Sequence, residues 1–432
     1  MNKTLAVISA PVDTYSGYGA RARDFIKALI NCKPEWDIKI LPQRWGNTKF
    51  GYLAHHNEKD LSSRLIQNLE TKPKIWMQIT VPNEFQKVGE YNIGVTAGIE
   101  TTLCDISWIE GMNKMDLILT SSEHSKKVLS ETIYDAVDNR TNEKISIKTT
   151  TPVEVLFEGV NLDLYKKPEL GIDTQLVNSM NQIDESFCFL FVGHWLQGEH
   201  KQDRKNIGGL IETFLTTFKS QRVKPALILK TQSANSSITD RENILANISN
   251  IRNIVGNYNL PNIYLIHGEL NDSEVNYIYN HSKVKAMACL TRGEGFGRPL
   301  LQFSTTGKPI IASGWSGHTD FLRGDCNYLV GGKLEDIHPS AVIEKLLLPQ
   351  SKWFTFNEKQ AKDSLKYVYK NYKKAINLGR KQKSITLKHY SFEKMQELLS
   401  DLINKYVPFF PVENTFVVPT PKKISLPKRP KK

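Results

Sequence analysis

The sequence predicts an α/β protein built from two parallel-sheet domains, and three observations carry that expectation. Short apolar runs alternate with helically periodic stretches, the pattern of βαβ units rather than of hairpins. At 432 residues the chain is long enough for two such domains. Several of the apolar runs end in glycine-rich loops that open helices, the junction at which open α/β sheets hold ligands.

In the first half, strands are expected at 5–9, 37–41, 75–79, 93–96, 117–120 and 153–157. The first leads into Asp13-Thr14-Tyr15-Ser16-Gly17-Tyr18-Gly19 and a helix carrying Arg21, Arg23 and Phe25. This loop lacks the third glycine of a dinucleotide fingerprint, which argues against a nicotinamide cofactor. Gly94-Val95-Thr96-Ala97-Gly98-Ile99-Glu100 overlaps the end of a later strand and precedes Trp108. Ser121-Ser122-Glu123-His124-Ser125 has the capping character of a helix start. Residues 136–144 are polar and rich in turn formers, and with 145–148 they read as a surface hairpin before the last strand. The polar stretch beginning Lys166-Lys167-Pro168 places the domain boundary at 165–185.

The second half opens with Phe187-Cys188-Phe189-Leu190-Phe191-Val192, whose unbroken apolar character predicts a strand buried on both faces. Gly193-His194-Trp195 follows, then a polar loop and Asp203-Arg204-Lys205-Asn206-Ile207. Further strands are expected at 226–230, 263–266 and 285–290. The last runs into Thr291-Arg292-Gly293-Glu294-Gly295-Phe296-Gly297-Arg298-Pro299-Leu300-Leu301-Gln302, where the proline suits a first helical turn. A short strand and a second glycine-rich loop, Gly314-Trp315-Ser316-Gly317-His318-Thr319-Asp320, come next. Long amphipathic patterns cover 359–407, and the proline- and lysine-rich composition after them predicts a disordered extension.

No apolar run approaches the ~20 residues that a membrane-spanning helix needs, and the N-terminus reads as a strand rather than a signal peptide. Five scattered cysteines without metal-ligand spacing predict reduced thiols and a cytoplasmic location, the host cytoplasm if the source is viral. The net charge of +12 is unevenly placed. Residues 1–165 carry 19 Lys and Arg against 21 Asp and Glu, residues 166–408 carry 32 against 23, and the last 24 residues carry 6 against 1.

The stretch from Glu294 through Gln302, with the glycine-rich loop after it, resembles the signature of retaining glycosyltransferases of the GT-B fold, family 4 type, which include bacteriophage members. The resemblance implies two Rossmann-like domains facing a cleft. An N-terminal acceptor domain would span 1–170 and a nucleotide-sugar domain 171–390. A crossover helix at 391–408 would return to the first domain, ahead of the basic tail at 409–432. Glu294 matches the glutamate that opens the family's Glu-Gly-Phe-Gly motif, but the second glutamate, eight positions on, is Gln302 here. The family's Gly-Arg after the first strand of the second domain is Gly193-His194, and Lys205 fits its second phosphate-binding cation. Arg204 or Arg298 would supply the missing charge.

The resemblance further implies Glu294, Lys205 and Glu100 as the catalytic set. Gly17, Gly19, Arg204, Gly295, Phe296, Gly297, Arg298 and Gln302 would contact the donor. The chain contains no Asp-x-Asp pair for a metal-bridged diphosphate, so a metal-independent transferase with no cofactor beyond its nucleotide-sugar co-substrate is expected. The acceptor is open between a hydroxylated base in duplex DNA and a cell-envelope glycan or lipid-linked sugar. Loss of Glu at 302 leaves a nucleotide-sugar-binding protein without activity as the competing class.

Overall fold

A computed structural model describes residues 3–137, 140, 142–165, 171–233 and 236–410. The first residues of the expected boundary region, 166–170, lie outside the described residues, as does the tail from 411 with all of its cations.

The first sheet contains β1 (Thr4–Ala10), β2 (Trp36–Pro42), β3 (Ile75–Ile79), β4 (Tyr91–Val95) and β5 (Leu117–Thr120). An antiparallel hairpin, β6 (Ile133–Val137) with β7 (Lys144–Lys148), stands where the turn-rich segment predicts it, and β8 (Val153–Val155) completes the sheet. The strand order is β2-β1-β3-β4-β5-β8, and every pairing is parallel. Both faces are covered, which explains the unbroken apolar runs. Along β1, Ala6 and Ile8 enter one core and Val7 the other; along β5, Leu117 and Leu119 enter one and Ile118 the other.

The second sheet repeats the plan with β9 (Cys188–Val192), β10 (Ala226–Lys230), β11 (Ile263–Ile266), β12 (Val284–Cys289), β13 (Ile310–Ser313) and β14 (Tyr328–Val330). Its order is β11-β10-β9-β12-β13-β14, again parallel throughout. The direction of winding reverses between β9 and β12, so the loops leaving these two strands diverge and open a crevice between them.

Three strands escaped the sequence reading: β14 and the antiparallel pair β15 (Gly332–Asp336) and β16 (Lys352–Phe356). That hairpin is closed by a small core of its own, Ile337, Ala341, Leu347 and Trp353. Its strands pair across a long connection, and no two-residue turn signal announces them.

The C-terminal helix Phe392–Tyr406 crosses back to the first domain. Its Ser391 cap accepts from the Lys394 amide at 3.3 Å. Met395, Leu399, Leu402 and Ile403 recur at helical spacing and enter the first-domain core beside the helix Gly17–Cys32. No helix among the described residues is long and apolar enough to cross a membrane.

Candidate active site

Lys205 and Glu294 arrive from opposite sides of the switch point in the second sheet. Lys205 ends the loop that leaves β9, and Asn206 follows it with φ of 51°, turning the chain sharply into the helix Ile207–Phe218. Asp203 accepts from the Ile207 amide at 3.1 Å and ties the start of that helix to the loop. Glu294 stands five residues beyond β12. The Lys205 Nζ lies 2.6 Å from both Glu294 carboxylate oxygens, and the side chains are only 12% and 7% exposed. Burial alone would raise the Glu294 pKa, but Lys205 and then Arg204 outweigh it and hold the carboxyl below its ordinary value.

The first domain closes over this pair. Arg204 Nη1 donates to the Gly293 carbonyl at 3.2 Å and lies 3.2 Å from Glu100 Oε1 across the cleft. Burial works against the Arg204 cation, but Glu100 and Glu294 raise its pKa. Gly293 and Gly295 are glycines because the domains meet at backbone distance. A Cβ on Gly293 would lie 1.9 Å from the Glu100 carbonyl oxygen, and one on Gly295 would lie 2.3 Å from that of Ala97. Ser121 Oγ donates to the Gly295 carbonyl at 3.2 Å, a further bond between the domains. Beside it, the Tyr18 hydroxyl accepts from the Ala97 amide at 3.1 Å and bonds Thr96 Oγ1 at 3.0 Å, while the Tyr18 ring stacks on Trp45 at 4.0 Å.

The remaining expected donor contacts are placed as follows. Arg298 is bound to Asp24 at 2.6 Å and to Glu158 at 3.4 Å, so its charge bridges the domains. Gln302 is buried on the helix Arg298–Ser304, and its side-chain amide has no hydrogen-bond partner among the described residues. The Phe296 ring packs against Phe321 at 5.0 Å in the second-domain core. Gly297, with φ of 98°, caps the Arg298–Ser304 helix. Gly19 is accounted for by the turn before its helix, since a Cβ there would lie 2.3 Å from the Thr14 carbonyl oxygen. Gly17 is exposed, with nothing within 4 Å of a Cβ.

Sequence reasoning missed two residues of the second glycine-rich loop. Ser316 takes φ of 80° and ψ of −166°, a region that strains any side chain, and it is buried. Its Oγ accepts from the Glu294 amide at 2.9 Å, while the Gly317 amide donates to the Glu294 carbonyl at 2.9 Å. His318 is wholly buried. Its Nε2–H donates to the Ser313 carbonyl at 2.6 Å, and its Nδ1 has no partner among the described residues. Burial lowers its pKa below the ordinary imidazole value. The flanking glycines were visible, but no local pattern says that this loop grips the backbone of Glu294.

No family model and no curated protein matches the sequence. Solved structures match over nearly the whole chain at low identity. A sucrose-phosphate synthase from Thermosynechococcus elongatus is 12% identical, with a TM-score of 0.58, over 94% of this chain and 99% of that one. A glycosyltransferase from Rickettsia africae is 12% identical, with a TM-score of 0.61, over 94% and 99%. HepE from Anabaena, in complex with UDP and glucose, is 9% identical, with a TM-score of 0.58, over 93% and 100%. Together with the two parallel sheets and the returning C-terminal helix, these likenesses give the chain the GT-B glycosyltransferase fold.

Proposed function

We propose that the chain is a retaining glycosyltransferase that moves a sugar from a nucleotide-sugar to a hydroxyl acceptor. The observation that carries this reading is the buried Lys205–Glu294 pair at the switch point, with Arg204 beside it and the first domain closing over all three. A diphosphate leaving group gains negative charge as its bond to the sugar breaks. Preorganised cations in a dry site meet that charge without reorganisation. In this reading Lys205 and Arg204 take that role, and Glu294 holds hydroxyls of the sugar being transferred. The acceptor oxygen forms its bond on the face from which the phosphate departs, and its proton passes to the departing phosphate oxygen. Glu100 orients the acceptor hydroxyl from the first domain. With two cations at the leaving group the transfer needs no metal, and turnover should survive a chelator. HepE, whose fold this chain shares, is described with UDP and glucose, which supports a nucleotide-sugar donor.

The test is incubation with a panel of nucleotide-sugars, with release of free nucleotide as the readout. Turnover of one donor is expected. Binding without release would identify a non-catalytic binder, and neither binding nor release with any donor would overturn the reading.

One observation favours a hydroxylated base in DNA as acceptor. Residues 38–57 contain Lys39, Arg44 and Lys49 and no Asp or Glu. Arg44 and Lys49 are exposed; Arg44 directly precedes Trp45, whose ring stacks on Tyr18, and Lys49 Nζ lies 4.9 Å from the centroid of the Tyr15 ring. Cations suit phosphates and aromatic rings suit unstacked bases. Duplex binding at about 50 mM salt that weakens steeply by about 200 mM is the expected result. Its absence would leave the acceptor among glycans.

A further inference from the structure

Beyond the expected residues, three unpartnered acceptor atoms lie at the carboxyl ends of β10 and β11. Thr231 Oγ1, Gln232 Oε1 and Glu269 Oε2 are all buried without a hydrogen-bond partner among the described residues, and Thr231 and Gln232 are 1% and 8% exposed. Lys230 and Ile266 are register partners and the Thr231 amide donates to the Ile266 carbonyl at 3.2 Å, so 231–232 and 267–269 leave the sheet side by side. Native proteins rarely leave such atoms unpaired, and three of them on adjoining loops at the carboxyl edge of one sheet can be completed together by a ligand.

The cluster joins the site around Glu294 through the loop after β9. The Trp195 amide donates to the Gln232 carbonyl at 2.9 Å, and His194 Nδ1 lies 3.0 Å from the Ser233 carbonyl oxygen. That same loop ends at Lys205. A line from Glu294 through Lys205 and His194 to Gln232 and Glu269 therefore runs along the carboxyl edge of the sheet. No ion pair within 4 Å engages the Glu269 carboxylate among the described residues, and the neighbouring Lys230 Nζ donates to the Gly268 carbonyl at 2.7 Å. After burial, the Glu269 charge is the next influence raising the pKa of Tyr15 in the first domain.

Resting on the glycosyltransferase reading, we propose that Glu269, with Gln232 and Thr231, binds the donor's nucleobase and that this base is guanine. A carboxylate only accepts, through two adjacent oxygens. Guanine offers two adjacent donors, N1–H and the exocyclic amine. Uracil presents a single N–H between two carbonyls that a carboxylate repels, and adenine and cytosine place an acceptor nitrogen beside their amine. A site built to receive donors discriminates strongly against a ligand that lacks them, since its buried acceptors then stay unpaired.

Calorimetry on the full chain with GDP, UDP and ADP tests the assignment. GDP should bind roughly tenfold or more tighter than either other nucleotide, and Glu269→Gln should lower GDP affinity by about tenfold or more. UDP or ADP binding as tightly as GDP would overturn the guanine assignment and leave the glycosyltransferase reading standing. A GDP preference that Glu269→Gln leaves intact would remove Glu269 from the base site. No binding of any of the three would overturn this assignment together with the reading it rests on.

Discussion

Glu294 and Lys205 are each other's principal partner in the free protein, and that pairing sets what their replacement should do. Glu294→Gln keeps the shape and removes the charge. Turnover of the donor should fall by about 100-fold, as for loss of a positioning group, with an unchanged far-UV circular dichroism spectrum. A variant keeping more than half of wild-type turnover would remove Glu294 from the chemistry. Lys205→Ala strands a buried carboxylate, so it should both weaken nucleoside diphosphate binding and cost about 3–5 kcal/mol of stability. Calorimetry and urea titration read the two effects separately. Gln302→Glu places a carboxylate on the helix that begins at Arg298, at the position where the resembled signature has a glutamate. Donor affinity should stay equal or rise, and a collapse would mean that the uncharged amide is itself the required contact.

At the scale of elements, the crossover helix is held at its far end by one carboxylate. Glu154, just before the end of β8, pairs with Lys126 at 2.8 Å and Lys405 at 3.3 Å and accepts from the Tyr406 hydroxyl. Hydrogen bonds from Lys126 and then Tyr406 bring its pKa down to about 2. A carboxyl with a folded value below its unfolded value stabilises above the unfolded value and loses that contribution as pH falls toward the folded one. The stability difference between wild type and Glu154→Gln should therefore be full above about pH 4.5 and shrink as the pH drops toward 2. A difference independent of pH across that window would show that the charge is not what anchors the helix. The β15–β16 hairpin makes a comparable tie at the cleft, where the Thr102 amide donates to the Lys352 carbonyl at 3.0 Å and Thr102 Oγ1 accepts from the Lys352 amide at 2.9 Å.

For the whole molecule, the decisive feature is how closely the two domains approach. Backbone meets backbone at Gly293 and Gly295, and Arg298 ties Asp24 and Glu158 across the same gap. A methyl group at Gly295 would need the Ala97 carbonyl to move, and that oxygen belongs to the other domain. Gly295→Ala should thus leave each domain folded but hold them apart. Small-angle scattering should report a larger radius of gyration, and donor turnover should drop. An unchanged radius with full activity would show that closure at this point is not needed for the reaction.

Much of this molecule could be read from the chain. Parallel strands buried on both faces are unbroken apolar runs, so the first sheet and all of the second but its edge strand β14 were legible, as was the helix that closes over the first domain through Met395, Leu399, Leu402 and Ile403. Glu294 and the glycines around it could be picked out because short-range spacing marks a strand-to-helix junction, and Lys205 through the resemblance to a phosphate-binding cation of the family 4 signature. What the chain could not show is which distant residues would occupy the same space. Ser316 gripping the Glu294 amide, Arg298 spent on Asp24 and Glu158, and unpaired acceptors collecting at Thr231, Gln232 and Glu269 all depend on loops from separate strands meeting at a switch point. Local propensity acts over a few residues. The sheet order and domain closure that bring these groups together are set by packing across the whole chain, and only the tertiary structure decided them.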